Sequence, residues 1–301
     1  MELVQPKRQH AWAWPVVANF TLGGMAAGFY LLNVLVETFQ GNMPDRYQTV
    51  VFKLLPPLLV GLGFICLTIE AGRPMRGIFL LNNLRSSWMS REMVIGAVFI
   101  LSAVLDTLFP HAIIEISALC SAAGLIISHG FIFYRAVAVR TWNEPLIPVH
   151  FFTSALSMGF GLLLLLGVCS NDTLGMYAIV TGMICVLINQ VIWLMYLRVD
   201  RVSSFHTEEA SGSPVYLTMG IKHLLPILLL LPLLLIPAAQ TAVSLRNVLS
   251  VLAGLFLAVE GVRQKVTIIL GASDLRGIVI GHLRNSVQDF PRHDTKVGMH
   301  R

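Results

Sequence analysis

Apolar residues in this chain gather into long runs separated by short polar segments. A helix needs roughly 20 mostly apolar residues to cross a bilayer. Eight runs reach or approach that length, at about 14–38, 50–69, 93–108, 112–139, 149–168, 174–197, 217–239 and 248–271. The third is short and extends into its flanks. The seventh is interrupted by Pro226, Pro232 and Pro237, which a spanning helix tolerates when neighbours satisfy the freed carbonyls. The pattern predicts an all-α membrane protein, a bundle of eight transmembrane helices over residues 1–271, followed by a basic polar tail over 272–301. The first run is too long for a signal peptide and continues into Glu37 rather than a small-residue cleavage site.

Composition agrees with a lipid-solvated scaffold. Hydrophobic residues make up 55% of the 301 positions and charged residues 12%, about half the share of a soluble domain, and the mean hydropathy is +0.74. These values exclude a soluble enzyme, a disordered chain and a nucleic-acid binder. The excess of basic residues reads instead as a topology signal. With eight crossings both termini share one side, here called side A. Eighteen of the 21 Lys and Arg then fall on side A, while Arg46, Lys53 and Arg246 fall on side B. That bias predicts side A, with both termini, in the cytoplasm; a basic docking face for an acidic partner would produce the same asymmetry. Cys66, Cys120, Cys169 and Cys185 have no CxxC spacing, so neither zinc nor an iron–sulfur cluster is expected in this chain.

Polar groups inside apolar runs are costly and mark functional candidates. At 1.5 Å per residue, Asn19 lies roughly 8 Å and His129 roughly 15 Å below side A. His150 opens the fifth run, Glu70 closes the second with Arg73 three residues on, and His223 starts the seventh. Asn189 and Gln190 lie in the side-A half of the sixth run, and Glu260 with Arg263 in the eighth. Taken singly, each has a bland reading as interhelical glue or a structural ion pair. Their shared half of the membrane predicts a polar cavity opening toward side A. Toward side B the set is thinner: Glu37, Asp106, His111 and Glu115, the last two at i,i+4 spacing. Asp106, His111, Glu115, Glu260 and Arg263 are the candidates for a proton path. No convincing pair of histidines exists for a membrane b-haem: His150 and His223 are at similar depth but at the membrane surface, and the others differ in depth. Gly24-x-x-x-Gly28, Gly61, Gly63, Gly159 and Gly161 read as points of close helix approach.

Four stretches resemble the NrfD-type family of integral membrane subunits, which includes that of polysulfide reductase, with the dimethyl sulfoxide reductase anchor as a distant cousin. They are WPVVANFTLGGMAAGFYLL at 14–32, EAGRPMRGIFLLNNLRSSWMSR at 70–91, WNEPLIPVHFFTSALSMGFG at 142–161, and the region of Glu260-x-x-Arg263. The second is the most specific. The resemblance implies two four-helix bundles and a haem-free site for menaquinone or ubiquinone. It implies partners as well: a four-cluster ferredoxin-like iron–sulfur subunit and a molybdopterin or tungstopterin catalytic subunit. The family's site uses the first helix, the loop after the second and an aromatic on the fourth. That aromatic position reads Ser128-His129-Gly130 here, a departure that keeps a hydrogen-bonding group but changes its titration range.

The expectation is therefore a quinone-binding anchor subunit in a prokaryotic cytoplasmic membrane. Asn19 and His129 would contact the head group, Glu70 would exchange protons with side A beside Arg73, and Glu92 and His150 would either support those contacts from behind or line the entry. An ion-coupled secondary transporter and a haem-b cytochrome anchor are the alternatives. The broken seventh run suits a transporter, although no inverted repeat relates the halves.

Overall fold

The computed structural model describes residues 2–4, 12–40, 46–70, 83–139, 141–169, 174–199, 225–234, 243–271 and 278–279. Six long helices come first: α1 (Trp14–Gln40), α2 (Arg46–Glu70), α3 (Trp88–Leu108), α4 (Ala112–Tyr134), α5 (Leu146–Cys169) and α6 (Met176–Leu197). A short helix α7 (Leu225–Leu234) follows, then α8 (Val243–Val266), which continues as a π-helix over Thr267–Gly271. Two short strands, β1 (Glu2–Val4) and β2 (Ile278–Val279), pair antiparallel. Among the described residues seven helices are long and apolar enough to cross a membrane, where the sequence pattern predicts eight. The remaining predicted run, 217–239, is described only over the ten residues of α7.

Helices α1 and α5 form the axis of the molecule. α1 packs on α2, α4 and α5, and α5 packs in turn on α4, α6 and α8. The two axes approach because neither helix bears a side chain at the crossing: a Cβ on Gly28 would strike the Ala155 carbonyl, and one on Gly159 the backbone of Gly28 and Phe29. Gly161 and Gly254 repeat the device between α5 and α8. Gly61 does not belong to this set. Among the described residues nothing lies within 4 Å of a Cβ placed there, which gives its predicted packing role no support; Gly63, two residues and roughly 200° around the helix, is the one that meets α1. Outward faces carry exposed aliphatics, Leu58, Leu62 and Ile65 on α2 and Ile184, Ile188 and Val191 on α6, as expected of surfaces in contact with lipid tails.

Two boundaries differ from the hydropathy reading in ways that matter. α3 begins at Trp88, five residues before its apolar run, because the Ser87 hydroxyl accepts from the Ser90 amide and caps the helix. Arg91 stacks on Trp88 and donates to the carbonyls of Leu84 and Arg85, tying the preceding turn down. α4 begins after His111, whose Nδ1 accepts from the Ile113 amide at 3.3 Å. His111 is thus an exposed N-cap rather than a residue within the helix, and its carbonyl accepts from the Glu115 amide at 3.0 Å.

The side-B charge inventory also changes. Lys53 is buried inside the bundle, 2.7 Å from Asp106, and the Tyr30 hydroxyl donates to the same carboxylate at 3.4 Å. A buried pair carries no topological information, so side B retains fewer free cations than the sequence count gives.

Candidate functional site

The first four helices bring three polar side chains to one point. Glu92 on α3, fully buried, accepts at one oxygen, Oε1, from Asn19 Nδ2 on α1 at 2.8 Å and lies 3.1 Å from His129 Nε2 on α4. Asn19 and His129 are each 1% exposed. The depths read from sequence separate Asn19 and His129 by a turn or more, yet their side chains converge on the same oxygen of Glu92.

Small residues make the meeting possible. A Cβ on Gly63 of α2 would lie 2.9 Å from Asn19 Oδ1, and one on Gly23 of α1 would lie 3.0 Å from His129 Cε1. Phe20 stands edge-on to the His129 ring, centroids 4.8 Å apart. Behind it, Trp12, Phe133, Trp142 and Phe151 form an aromatic wall. Trp142 is fixed by donating to the Ile268 carbonyl at 2.7 Å, in the π turn, where the α-helical i→i−4 ladder is interrupted. Within the cluster, the second oxygen of Glu92, Oε2, has no hydrogen-bond partner among the described residues. A buried, unpartnered carboxylate oxygen is expensive, and it is the atom that a ligand hydroxyl would satisfy.

Other predicted residues fall into two further groups. Arg263 grips Glu260 with two nitrogens, Gln264 donates to Glu260, Asn189 donates to Gln264, and Thr153 donates to Asn189. This series links α8, α6 and α5. His150, 1% exposed, packs between Trp193 and Tyr196, and neither ring nitrogen has a hydrogen-bond partner among the described residues. Asp106 belongs to the Lys53 pair at the opposite end of the bundle, with Glu115 half-buried nearby on α4. Glu70 closes α2, but its side chain lies outside the described residues, as do Arg73 and His223. A small cavity lined by Leu164, Leu174, Ile179 and Arg246 has none of the described candidates in its lining.

Sequence reasoning places Glu92 behind the head-group contacts or at the entry, and counts Lys265 among the side-A cations. The structure puts both inside. A serine cap ahead of the apolar run is the available signal for Glu92. For Lys265 it is position: Gly254 and Gly261 mark the packing face of α8, and Lys265 follows Gly261 by four residues on that face.

Among curated proteins the sequence is similar to the YnfH subunit of an anaerobic dimethyl sulfoxide reductase of Escherichia coli, 28% identical over 48% of this chain and 54% of that one. It is also similar to the C subunit of the anaerobic dimethyl sulfoxide reductase of Haemophilus influenzae, 28% identical over 49% and 56%. A third relative is the C subunit of the polysulfide reductase of Wolinella succinogenes, 24% identical over 52% and 58%. The chain thus spans little more than half the length of the curated relatives it matches. Residues 9–269 match the family described as DMSO reductase anchor subunit, a stretch running from before α1 into the π turn of α8, and the chain belongs to that family of membrane subunits.

Proposed function

We propose that this multi-pass membrane protein is the quinone-binding anchor of an oxidoreductase complex. Menaquinone or ubiquinone would meet the Asn19–Glu92–His129 cluster. Electrons would be exchanged with a four-cluster ferredoxin-like iron–sulfur subunit, bound in turn to a molybdopterin or tungstopterin catalytic subunit. The observation that carries this reading is the buried carboxylate–imidazole pair with one carboxylate oxygen unpartnered, held by three helices in a member of this family.

The bound quinone supplies two-electron, two-proton chemistry; the protein must supply hydrogen bonds and a proton acceptor. Glu92 Oε2 is the acceptor available to a hydroxyl. Asn19 and His129 hold Glu92 in place through Oε1, and Phe20 keeps the imidazole upright. Glu70 beside Arg73 remains the proposed exchanger with side A, and His150 the proposed entry residue.

Eight crossings remain the proposed count. The pairing of β1 with β2 supports it, since it keeps residues 2–4 beside residues 278–279 and only an even number of crossings leaves them on one side. Both termini, and with them the docked partner, are proposed to face the cytoplasm of a prokaryote; reporter fusions at the two ends test this, and an external signal at either end overturns it.

Replacing His129 by Phe tests the site. Quinol-driven electron transfer in the purified complex is expected to fall by about 10²-fold or more, with weaker binding of a quinone analogue. Wild-type turnover and analogue binding in that variant would refute the assignment.

A further inference from the structure

One buried titratable side chain has no part in the reading above. Lys265 projects from the end of α8 into α5 and is 1% exposed. Its Nζ lies 3.1 Å from Ser154 Oγ and 3.2 Å from Met158 Sδ, with the Phe151 ring centroid at 5.8 Å. A hydroxyl, a thioether and a ring face surround it, and no carboxylate among the described residues pairs with it. Lysines near helix ends normally extend their amines to water; this one does not. A methionine would fill the same volume without the desolvation cost.

Its position relative to His129 is informative. A methyl group built on Gly24 of α1 would stand 3.8 Å from Lys265 Cε, 4.0 Å from His129 Nδ1 and 3.7 Å from Ala155 Cβ. Both side chains thus reach the same spot on α1, and Cε and Nδ1 are no more than about 8 Å apart. At the other edge of the ring, Nε2 meets Glu92. The imidazole therefore meets a buried carboxylate of α3 at one edge and, at the other, shares the space in front of Gly24 with the Lys265 side chain of α8. An imidazole that gains a proton at one nitrogen can release one from the other.

We propose that Glu92, His129 and Lys265 form a single proton relay, in which one water in front of Gly24 links His129 Nδ1 to Lys265 Nζ. A proton entering the ring at Nδ1 leaves at Nε2 for Glu92 during quinone reduction, and the reverse holds during quinol oxidation; the electrons travel separately to the iron–sulfur partner. His150 lies one turn before Ser154 on α5, the helix whose Ser154 hydroxyl meets the amine. The relay rests on the proposed quinone site and extends it to a residue outside the predicted set.

The test uses Lys265→Met and Gly24→Ala in the whole complex. The added methyl of Gly24→Ala meets its neighbours at ordinary contact distances, 3.8 Å from Lys265 Cε and 4.0 Å from His129 Nδ1, so it fits the fold while crowding out a water held between the two side chains. Both variants are expected to lower kcat with quinol by about tenfold or more, with KM and the Kd of a quinone analogue changed by less than about threefold. The solvent deuterium isotope effect on kcat is expected to rise in both. Without any quinone present, Lys265→Met is expected to keep or raise the Tm, because it removes a buried amine. Wild-type kcat and isotope effect in both variants would overturn the relay while leaving the quinone site standing. A lowered Tm with weakened analogue binding in Lys265→Met would overturn it in favour of a structural role. Failure of the wild-type complex to bind any quinone analogue would remove the quinone site and the relay with it.

Discussion

Glu92→Gln is expected to reduce quinol-driven electron transfer by about 10²- to 10⁴-fold in a complex that still assembles. The amide keeps the volume of the carboxylate, and its oxygen still accepts from Asn19 Nδ2 and His129 Nε2, so the three-helix junction holds. What changes is Oε2, which becomes an amide nitrogen that donates and takes up no proton. The expected signature is a loss of kcat with the Tm close to wild type, measured on the purified complex. Unchanged kcat would mean that the unpartnered oxygen does not face the reacting ligand.

The largest expected stability effect lies at the other end of the bundle. Asp106→Ala leaves Lys53 buried without its counter-charge, a change that costs about 3–5 kcal/mol in comparable buried pairs. It also strips the Tyr30 hydroxyl of its acceptor. Replacing both partners, Asp106→Leu with Lys53→Met, is expected to restore most of that loss, because two apolar side chains of similar volume need no partners. Thermal unfolding of the single and double variants in detergent gives the comparison. Equal destabilisation in both would show that the pair contributes through packing rather than charge. The double variant also asks whether Asp106 carries protons: wild-type turnover in it would place the pair among structural elements.

The spans are legible because lipid imposes a length and a composition on any helix that crosses it. α1, α2 and α5 follow their apolar runs to within four residues at either end. The site is harder to read for a related reason. Hydropathy averages over the whole circumference of a helix, whereas burial in a bundle belongs to one face. Glu92 and Lys265 both sit at the ends of apolar runs, where a charged residue normally marks the water boundary, yet both face inward. Gly61 and Gly63 differ only in direction, and no count along the sequence separates the one that meets Asn19 from the one that meets nothing among the described residues. Asn19 and His129 are readable because amide and imidazole groups are conspicuous in the middle of an apolar run. The link between them is not, because a contact across 73 residues of sequence, as between Asn19 and Glu92, leaves no local trace.

The backbone-to-backbone crossing of α1 and α5 has a consequence for how this architecture drifts over evolutionary time. Elsewhere in a bundle a larger residue on one helix can be accommodated by a smaller one on its neighbour, since the volume at the contact can be shared differently. At Gly28 and Gly159 there is no side-chain volume to redistribute; the opposing surface is main chain. A substitution there has no compensating partner, while the lipid-facing positions of α2 and α6 accept almost any aliphatic residue. Identity of 24–28% between this chain and its relatives over about half its length is therefore compatible with an unchanged arrangement of axes, provided that this seam is the part that does not move.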